Sequence, residues 1–311
     1  MNMKKLFLLL AAASLLIPCN EALARKKAQK PLADHVVFIG IDGWAACQVK
    51  DDLNLMPTVK SLMDNGCYTF SKRSVMPSAS AINWASIFMG VPTEMHCYNA
   101  WNSAKPAIPA YSVQENGMPV TVYTLLKQQR PDAVSGCVYD WDGIGYVCDT
   151  AAMTFHRLFP AVEKYTDIEK YAENAVSDIK SLKPAFYTFY IGNVDETGHT
   201  YGWESNQYDE CLTHTDNAIA MIVNALKEAG IYDDTIIVIT SDHGGKGNGH
   251  GNLTLEELET PFVICGKNVA SKGQFERFMM QYDVPATIAY ALGLQIPEDW
   301  RGRPMMEAFK K

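Results

Sequence analysis

The chain has 311 residues, 48% of them apolar and 20% charged, and a formal net charge of −8. Such a composition suits one globular α/β domain with a sizeable core. The acidic balance excludes a protein that grips nucleic-acid backbones nonspecifically, and no repeat or low-complexity tract points to an array or a linker.

The chain opens like a secretory signal peptide. Lys4 and Lys5 precede an apolar run from Leu6 to Ile17, and Ala22-Leu23-Ala24 offers a small-residue cleavage site. The run is too short to span a membrane comfortably. Cleavage after Ala24 is the expectation, giving an exported product, periplasmic or secreted. Cys19 follows Pro18 in a poor lipobox, so a lipid anchor there ranks second. Losing residues 1–24 removes Lys4, Lys5 and Glu21 and makes the balance more acidic. The cysteines that remain (Cys47, Cys67, Cys97, Cys137, Cys148, Cys211 and Cys265) form no CxxC pair, which argues against a structural zinc ribbon. Their odd number leaves a thiol over. Cys137 and Cys148, flanking a turn at Asp142-Gly143, are the expected disulfide.

After a leader at 25–35, a single domain is expected over 36–311. The apolar run 36–41, VVFIGI, reads as a buried strand ending at Asp42-Gly43. Pro57 opens a short helix that Gly66 stops. In SVMPSASAINWASIFMG, residues 74–90, Pro77 and the serines break the chain. Ala81, Ala85, Phe88 and Met89 then take up helical spacing as far as Gly90. Ser80 therefore stands at a helix N-terminus, where free N–H groups and the dipole favour an anion or an ionised hydroxyl. An ordinary serine N-cap is the competing reading. Asn83, three residues on, can aim its amide at the same place.

Residues 121–139 read as a helix and then a strand. Ile168, Ala172, Ala175, Val176, Ile179 and Leu182 share one helical face over 168–182, and FYTFYIG at 186–192 is another buried strand. It delivers NVDETGHTYGW, with Asp195 and His199 four apart on a glycine-containing turn, a spacing that lets both reach one cation. Residues 207–228 form an amphipathic helix. Strand 236–239 empties into Asp242, His243 and a glycine-rich loop ending at His250. A short strand at 261–265 and a helix over 284–292 close the chain. Strands alternating with helices predict a mostly parallel sheet covered on both faces.

Open α/β proteins place their sites at the carboxyl ends of the strands. Asp42, Asp195, His199, Asp242, His243 and His250, with the Ser80 hydroxyl, are the residues expected to converge there. Mixed His/Asp ligation suits zinc ahead of manganese or iron. Six ligands are too many for one catalytic zinc with an open position, but they divide into two sets of three. Two cations about 4 Å apart clamp the attacking and leaving oxygens of an in-line displacement at phosphorus. His35, His96, His156 and His214 have no evident partners and are read as structural.

Several motifs run in order across nearly the whole chain: IGIDG at 39–43, PSASAINWASIFMG at 77–90, VYDWDG at 138–143, VDETGHTYG at 194–202 and SDHGGKGNGHG at 241–251. The ending DVPATIAYALGLQIP with WRGRP, within 283–304, completes them. In this set the sequence resembles the alkaline phosphatase superfamily, and within it the nucleotide pyrophosphatase/phosphodiesterase branch. The resemblance implies a zinc-dependent hydrolase with two Zn2+ ions. Asp42, Asp242 and His243 would hold one ion, with Ser80 as the nucleophile on it. Asp195, His199 and His250 would hold the second, which activates the attacking water. Asn83 would donate to a nonbridging phosphoryl oxygen. Cleavage of a phosphodiester or pyrophosphate would pass through a phosphoserine. The partner implied is a small-molecule phosphoester, with no specific nucleic-acid binding and no membrane span.

Departures from the family pattern bear on the substrate. The nucleotide-preferring branch has Thr followed by an aromatic residue where this chain has Ser80-Ala81, and Gly202 is followed by Trp203 rather than proline. Trp84 and Trp141 are the expected substrate-binding aromatics, with Tyr98 and Trp101 as further aromatic surface; core packing is the competing reading for all of them. Any cap over the site is small and falls within 91–120. A phosphomonoesterase of the same fold is the first alternative, although Lys72 and Arg73 lie several residues before Ser80 and no basic residue stands beside it. A sulfatase would need a cysteine or serine at Val75 and an arginine at Ala79. A non-catalytic, metal-stabilised binding protein is the alternative from another class; the complete ligand set with Ser80 argues against it.

Overall fold

Valine, isoleucine and aromatic residues fill both faces of the central strands, as a sheet covered on each side by helices requires. The computed structural model describes residues 29–51, 53–160, 164–275 and 277–311. The signal-peptide reading of residues 1–24 lies outside the described residues. Eight strands form one sheet: β1 (His35–Ile41), β2 (Gly66–Arg73), β3 (Ser135–Tyr139), β4 (Phe155–Leu158), β5 (Phe186–Ile191), β6 (Thr235–Thr240), β7 (Glu259–Gly266) and β8 (Gly273–Gln274). Their order is β4-β3-β5-β1-β6-β7-β2-β8. Strand β7 pairs antiparallel with β6 and β2, and the other ladders are parallel. This is the mostly parallel α/β architecture, covered on both faces, that the alternation of strands and helices predicts.

The two-residue period of a strand sorts the apolar side chains into two cores. Val36 and Phe38 of β1 join one core with Trp84, Phe88 and Tyr123, while Val37, Ile39 and Ile41 join the other with Tyr208, Ile219 and Ile222. Helices Ser80–Met89, Val122–Gln129 and Asp283–Ala291 cover the first face, and helices Ile168–Leu182 and Asn206–Glu228 cover the second. Ahead of β1, the Leu32 amide donates to Ala291 O, 2.8 Å away, which ties the chain before the sheet to its last helix. Among the described residues, no helix is long and apolar enough to cross a membrane.

Three expectations need correction. The helix that Pro57 opens ends at Asp64, and Gly66 opens β2; the strand's sequence, GCYTFSKR, mixes in polar residues, so periodicity alone does not reveal it. Asp195 and His199 lie on helix Asn193–Tyr201, not on a turn, and their i,i+4 spacing puts them on one helical face. Between Cys137 and Cys148 the chain forms helix Asp142–Val147 rather than a bare turn, and both cysteines are buried free thiols, unbridged.

Candidate metal and nucleophile site

The site is assembled where β5, β1 and β6 lie side by side. Asp42 follows β1, Asp242 and His243 follow β6, and β5 leads into the helix that carries Asp195 and His199. From the far side of the sheet, β2 runs into the segment 74–79 that ends at Ser80. Two glycines of the IGIDG stretch admit the neighbours that build this centre. A Cβ on Gly40 would stand 2.6 Å from the Trp84 ring, and one on Gly43 would stand 2.8 Å from the Asp195 Cα. Gly43 also holds a φ of +67°, in the left-handed region that side chains disfavour.

Each carboxylate is held by one oxygen and offers the other. Asp42 Oδ2 accepts from Trp84 Nε1 at 2.9 Å and from the Tyr190 hydroxyl. Asp242 Oδ1 accepts from Gly43 N at 3.2 Å and Ser241 Oγ at 3.4 Å. Asp195 Oδ2 faces His199 Nε2 at 3.4 Å. Asp42 Oδ1, Asp242 Oδ2 and Asp195 Oδ1 are buried with no hydrogen-bond partner. Below Asp242, the fully buried Lys72 donates to Ser241 O and Gln281 Oε1, and Ser74 Oγ and Gln281 Nε2 donate to Asp242 O.

The imidazoles follow the same plan. Nδ1 of His243, His250 and His199 faces the carbonyl oxygens of Gly244, Ser78 and Asn248, at 2.9, 2.7 and 3.0 Å. A carbonyl only accepts, so each Nδ1 carries the hydrogen and each Nε2 turns to the centre, the orientation that backbone partners impose on metal-binding histidines. His243 Nε2 lies 3.3 Å from Asp42 Oδ1 and 3.2 Å from Asp242 Oδ2; His250 Nε2 lies 3.6 Å from Asp195 Oδ1. The Nε2 atoms of His199 and His250 are only 3.1 Å apart, and the rings of His243 and His250 stack at 3.6 Å.

Unpaired, these groups strain against one another. Burial, then the Asp42 charge, pushes Asp195 up to about 7 and Asp242 well above the carboxylate range. Burial opposes ionisation of Asp42 too, but the hydrogen bond and charge of His243 outweigh it and hold that carboxyl low. Burial alone would lower His243; the Asp242 charge, with that of Asp42, raises it to about 10, while burial and the His243 charge press His250 down to about 3. A proton on His243 thus offsets only part of the crowded negative charge. Orphaned buried oxygens and mutually facing Nε2 lone pairs are what divalent cations would satisfy, so the donor set fits them. Asp195, His199 and His250 form one candidate group, and Asp42, Asp195 and His243 form another, with ligand atoms within 4.8 Å of one another. Asp195 therefore stands between the two groups, a position that its place in the sequence did not predict.

Ser80 is the first residue of its helix, and Ala79 is the N-cap, so the serine does not spend its hydroxyl on capping. Ser80 Oγ lies 3.2 Å from His243 Nε2. It opens into a cavity of about 590 Å3 lined by Pro77, Ala79, Ile82, Asn99, Ala100 and Trp101 on the loop side, and by Asp195, Glu196, His199 and His250 on the other. The segment 97–121 holds neither helix nor strand.

Three expected contacts are absent. Asn83 is fully buried, its amide bonded to the backbone of Val75, Pro77 and Ala79, so it braces the segment before Ser80 instead of facing a substrate. Trp84 is fully buried and serves Asp42. Trp141 packs against the core, with its ring 6.3 Å from that of Tyr190, and does not line the cavity. The residues that do line it, Asn99 and Trp101, fall in a stretch without apolar periodicity; a tryptophan in such a stretch was the available signal. The other four histidines have structural partners, His96 among them, buried between Ser86 Oγ and the Tyr98 amide.

The profile of the type I phosphodiesterase / nucleotide pyrophosphatase family matches residues 36–261. The venom phosphodiesterase CdcPDE of Crotalus durissus collilineatus is 24% identical over 233 residues, a stretch covering 70% of this chain and 26% of the venom protein. Human ectonucleotide pyrophosphatase/phosphodiesterase family member 1 is 24% identical over 225 residues, which cover 67% of this chain and 23% of that protein. The chain spans about a quarter of the length of the curated relatives it matches. Among solved structures, an inactive murine ectonucleotide pyrophosphatase/phosphodiesterase 5 in complex with AMP superposes with a TM-score of 0.68 at 15% identity, covering 86% of this chain and 97% of that one. The wild-type alkaline phosphatase PafA superposes with a TM-score of 0.71 at 11% identity, covering 90% and 99%. These superpositions establish the fold.

Proposed function

Because the chain belongs to the type I phosphodiesterase / nucleotide pyrophosphatase family, we propose that it hydrolyses phosphodiester or pyrophosphate bonds of small molecules through a covalent phosphoserine at Ser80. Divalent cations, zinc foremost, would be held by Asp195, His199 and His250 and by Asp42, Asp242 and His243, with Asp195 shared. When bound, they supply Lewis-acid charge at the phosphoryl oxygens. The observation that carries this reading is the convergence of three partnerless buried carboxylate oxygens and three Nε2 atoms beside the Ser80 hydroxyl.

Ser80 Oγ would form a bond to phosphorus as the bond to the leaving oxygen breaks. Water would then cleave the Oγ–P bond and restore the hydroxyl. The N-terminus of the Ser80 helix turns its dipole towards developing negative charge, while the Ala81 N–H is taken by Trp101 O. Asn99, in the cavity wall, would donate its amide to a phosphoryl oxygen.

Among the described residues, none that lines the cavity is lysine or arginine, and Glu196 stands among them. The second charge of a phosphomonoester would meet no fixed cationic side chain there, which favours the singly charged diester. Export is supported by the signal-like opening of the sequence and by relatives named as venom and ectonucleotide enzymes.

The test is metal analysis of the purified protein together with hydrolysis of bis-p-nitrophenyl phosphate against p-nitrophenyl phosphate. The expected result is about two zinc ions per chain and a diester preference. Ser80→Ala should keep the metal and lose turnover by at least about a thousandfold. Near-full activity in that variant would sink the phosphoserine. A monoester preference would move the enzyme to the phosphatase side, and metal without turnover of either ester would leave a binding protein.

A further inference from the structure

The ladders of β6 end at Thr240, and the buried stretch that follows, Ser241 to Gly244, carries the ligand candidates Asp242 and His243. Its carbonyl oxygens need partners that the sheet no longer provides. Side chains supply them. Ser241 O accepts from Lys72 Nζ at 2.8 Å and from Gln281 Nε2 at 3.3 Å. Asp242 O accepts from Ser74 Oγ at 2.6 Å and from Gln281 Nε2. His243 O accepts from Ser241 Oγ at 2.8 Å, and Gly244 O is the partner of His243 Nδ1.

Lys72 is the costly member of this set. It stands on β2, and β7 lies between β2 and β6. Two strand spacings, about 10 Å, separate the outer strands, a gap that only a long side chain crosses. The pairing of β2 with β7 shifts register between Thr69 and Lys72, an irregularity of the kind that re-aims side chains. Burial of the whole side chain presses its amine well below the ordinary range, with the Asp242 and Asp283 charges pulling the other way. A methionine would fill similar space without that penalty. The amine donates to Ser241 O and to Gln281 Oε1. An ammonium has three N–H groups and a neutral amine two, so both bonds hold in either protonation state. Gln281 is anchored by its own N–H, which donates to Arg73 O at 3.0 Å, and it lies beyond the residues 36–261 that the family profile matches.

We infer that Lys72 and Gln281 are positioning residues for the metal group of Asp42, Asp242 and His243, acting by clamping the Ser241 and Asp242 carbonyls. The inference rests on the metal-dependent phosphoester reading of the Ser80 site. A peptide unit is planar, so holding its carbonyl oxygen holds the whole unit. The two clamped units flank the Cα of Asp242, which sets the direction of its Cα–Cβ bond, and the second unit leads directly into His243. Only the side-chain torsions of Asp242 remain, and Gly43 N holds one carboxylate oxygen.

Chelator competition on the zinc-loaded protein tests this apart from turnover. Lys72→Met/Gln281→Met replaces two bonded polar side chains with apolar ones of similar length, an exchange that is close to neutral or favourable for the fold. The double variant should lose about tenfold in zinc affinity at one site, as when other outer partners of metal ligands are removed. The melting temperature of the chelated protein should stay level or rise. Cadmium-113 NMR of the cadmium-loaded variant should show one resonance moved, the one that His199→Ala leaves in place, and the other unmoved. Native zinc affinity in the double variant would overturn the inference. So would an affinity loss that comes with a lower melting temperature and two moved resonances, because that is general loosening. Should the double variant not fold, Gln281→Met alone leaves Lys72 on Ser241 O and Ser74 on Asp242 O. It should lose about two- to fivefold in zinc affinity at the same site, and native affinity there would overturn the inference. In each of these cases zinc binding by the native protein leaves the metal reading intact. A native protein that binds no zinc would overturn both.

Discussion

The two walls of the Ser80 cavity are built on different parts of the chain and hold their side chains by different means. The ligand wall stands on β1, β5 and β6, neighbours in the middle of the sheet, and Asp42, Asp242 and its three imidazoles are braced from behind by a backbone or indole group. The loop wall comes from 77–82 and 99–101, outside the sheet. There the side chains that face the cavity, Asn99 and Trp101, depend on turns closed by a few hydrogen bonds. Preorganised charge belongs on the rigid wall, because a metal site tolerates little displacement. Choice of substrate can sit on the other, where substitutions leave the ligands undisturbed.

Substitution of Asp195 should break this division most severely, since its carboxylate stands between both candidate groups. Asp195→Asn should lower kcat/KM for a diester by about a thousandfold or more, corresponding to several kcal/mol, with metal lost from the protein. The same change should stabilise the metal-free fold, and the size of the gain depends on pH. Burial raises the Asp195 carboxyl from 3.8 to about 7, so the unfolded chain gives up this proton more readily than the folded one. The penalty is absent below about 4, grows as pH rises and is complete above about 7. Thermal melts of chelated protein should show Asp195→Asn gaining over the native chain at pH 8 and matching it at pH 4. An equal gain at both values would refute the assignment.

Trp84→Phe probes the bracing itself. It keeps an aromatic ring against Gly40 and Phe38 but removes the N–H on Asp42 Oδ2. Metal affinity, measured by chelator competition, should fall about 10- to 100-fold, as for other outer partners of metal ligands. No change would mean that the Tyr190 hydroxyl alone suffices to orient Asp42.

The same contrast explains what could be read from the sequence. Acids and histidines at the ends of short apolar runs pointed to Asp42, Asp242 and His243, because a buried strand announces itself by composition and its carboxyl end is where open sheets place their chemistry. Ser80 was legible from the break at Pro77 and the helical spacing that follows. What bound those groups together was not. Trp84 looked like a ring for a substrate because nothing local shows that Gly40, far away in sequence, leaves room for it against β1. Asn83 looked like a donor because its three backbone acceptors lie in an irregular segment. The place of β2 in the sheet and that of Trp101 are long-range facts of the same kind, set by pairing with the antiparallel β7 and by one hydrogen bond to Ala81.

The smallest effect should come from the loop wall, at a residue that touches neither metal nor substrate. Ser103→Ala removes the hydroxyl that accepts from Ala100 N and leaves the backbone bond from Ser103 N to Ala100 O in place. One neutral hydrogen bond in a surface turn is worth about 1 kcal/mol, so the turn should populate other conformations without unfolding anything. Asn99 and Trp101, on the near side of that turn, would then face the cavity for less of the time. The expected result is a loss of about two- to fivefold in kcat/KM for a diester, carried by KM, with zinc content and melting temperature unchanged. An equal loss carried by kcat, or any loss of zinc, would mean that the loop wall is coupled to the ligand wall and that the two do not divide the work as their construction implies.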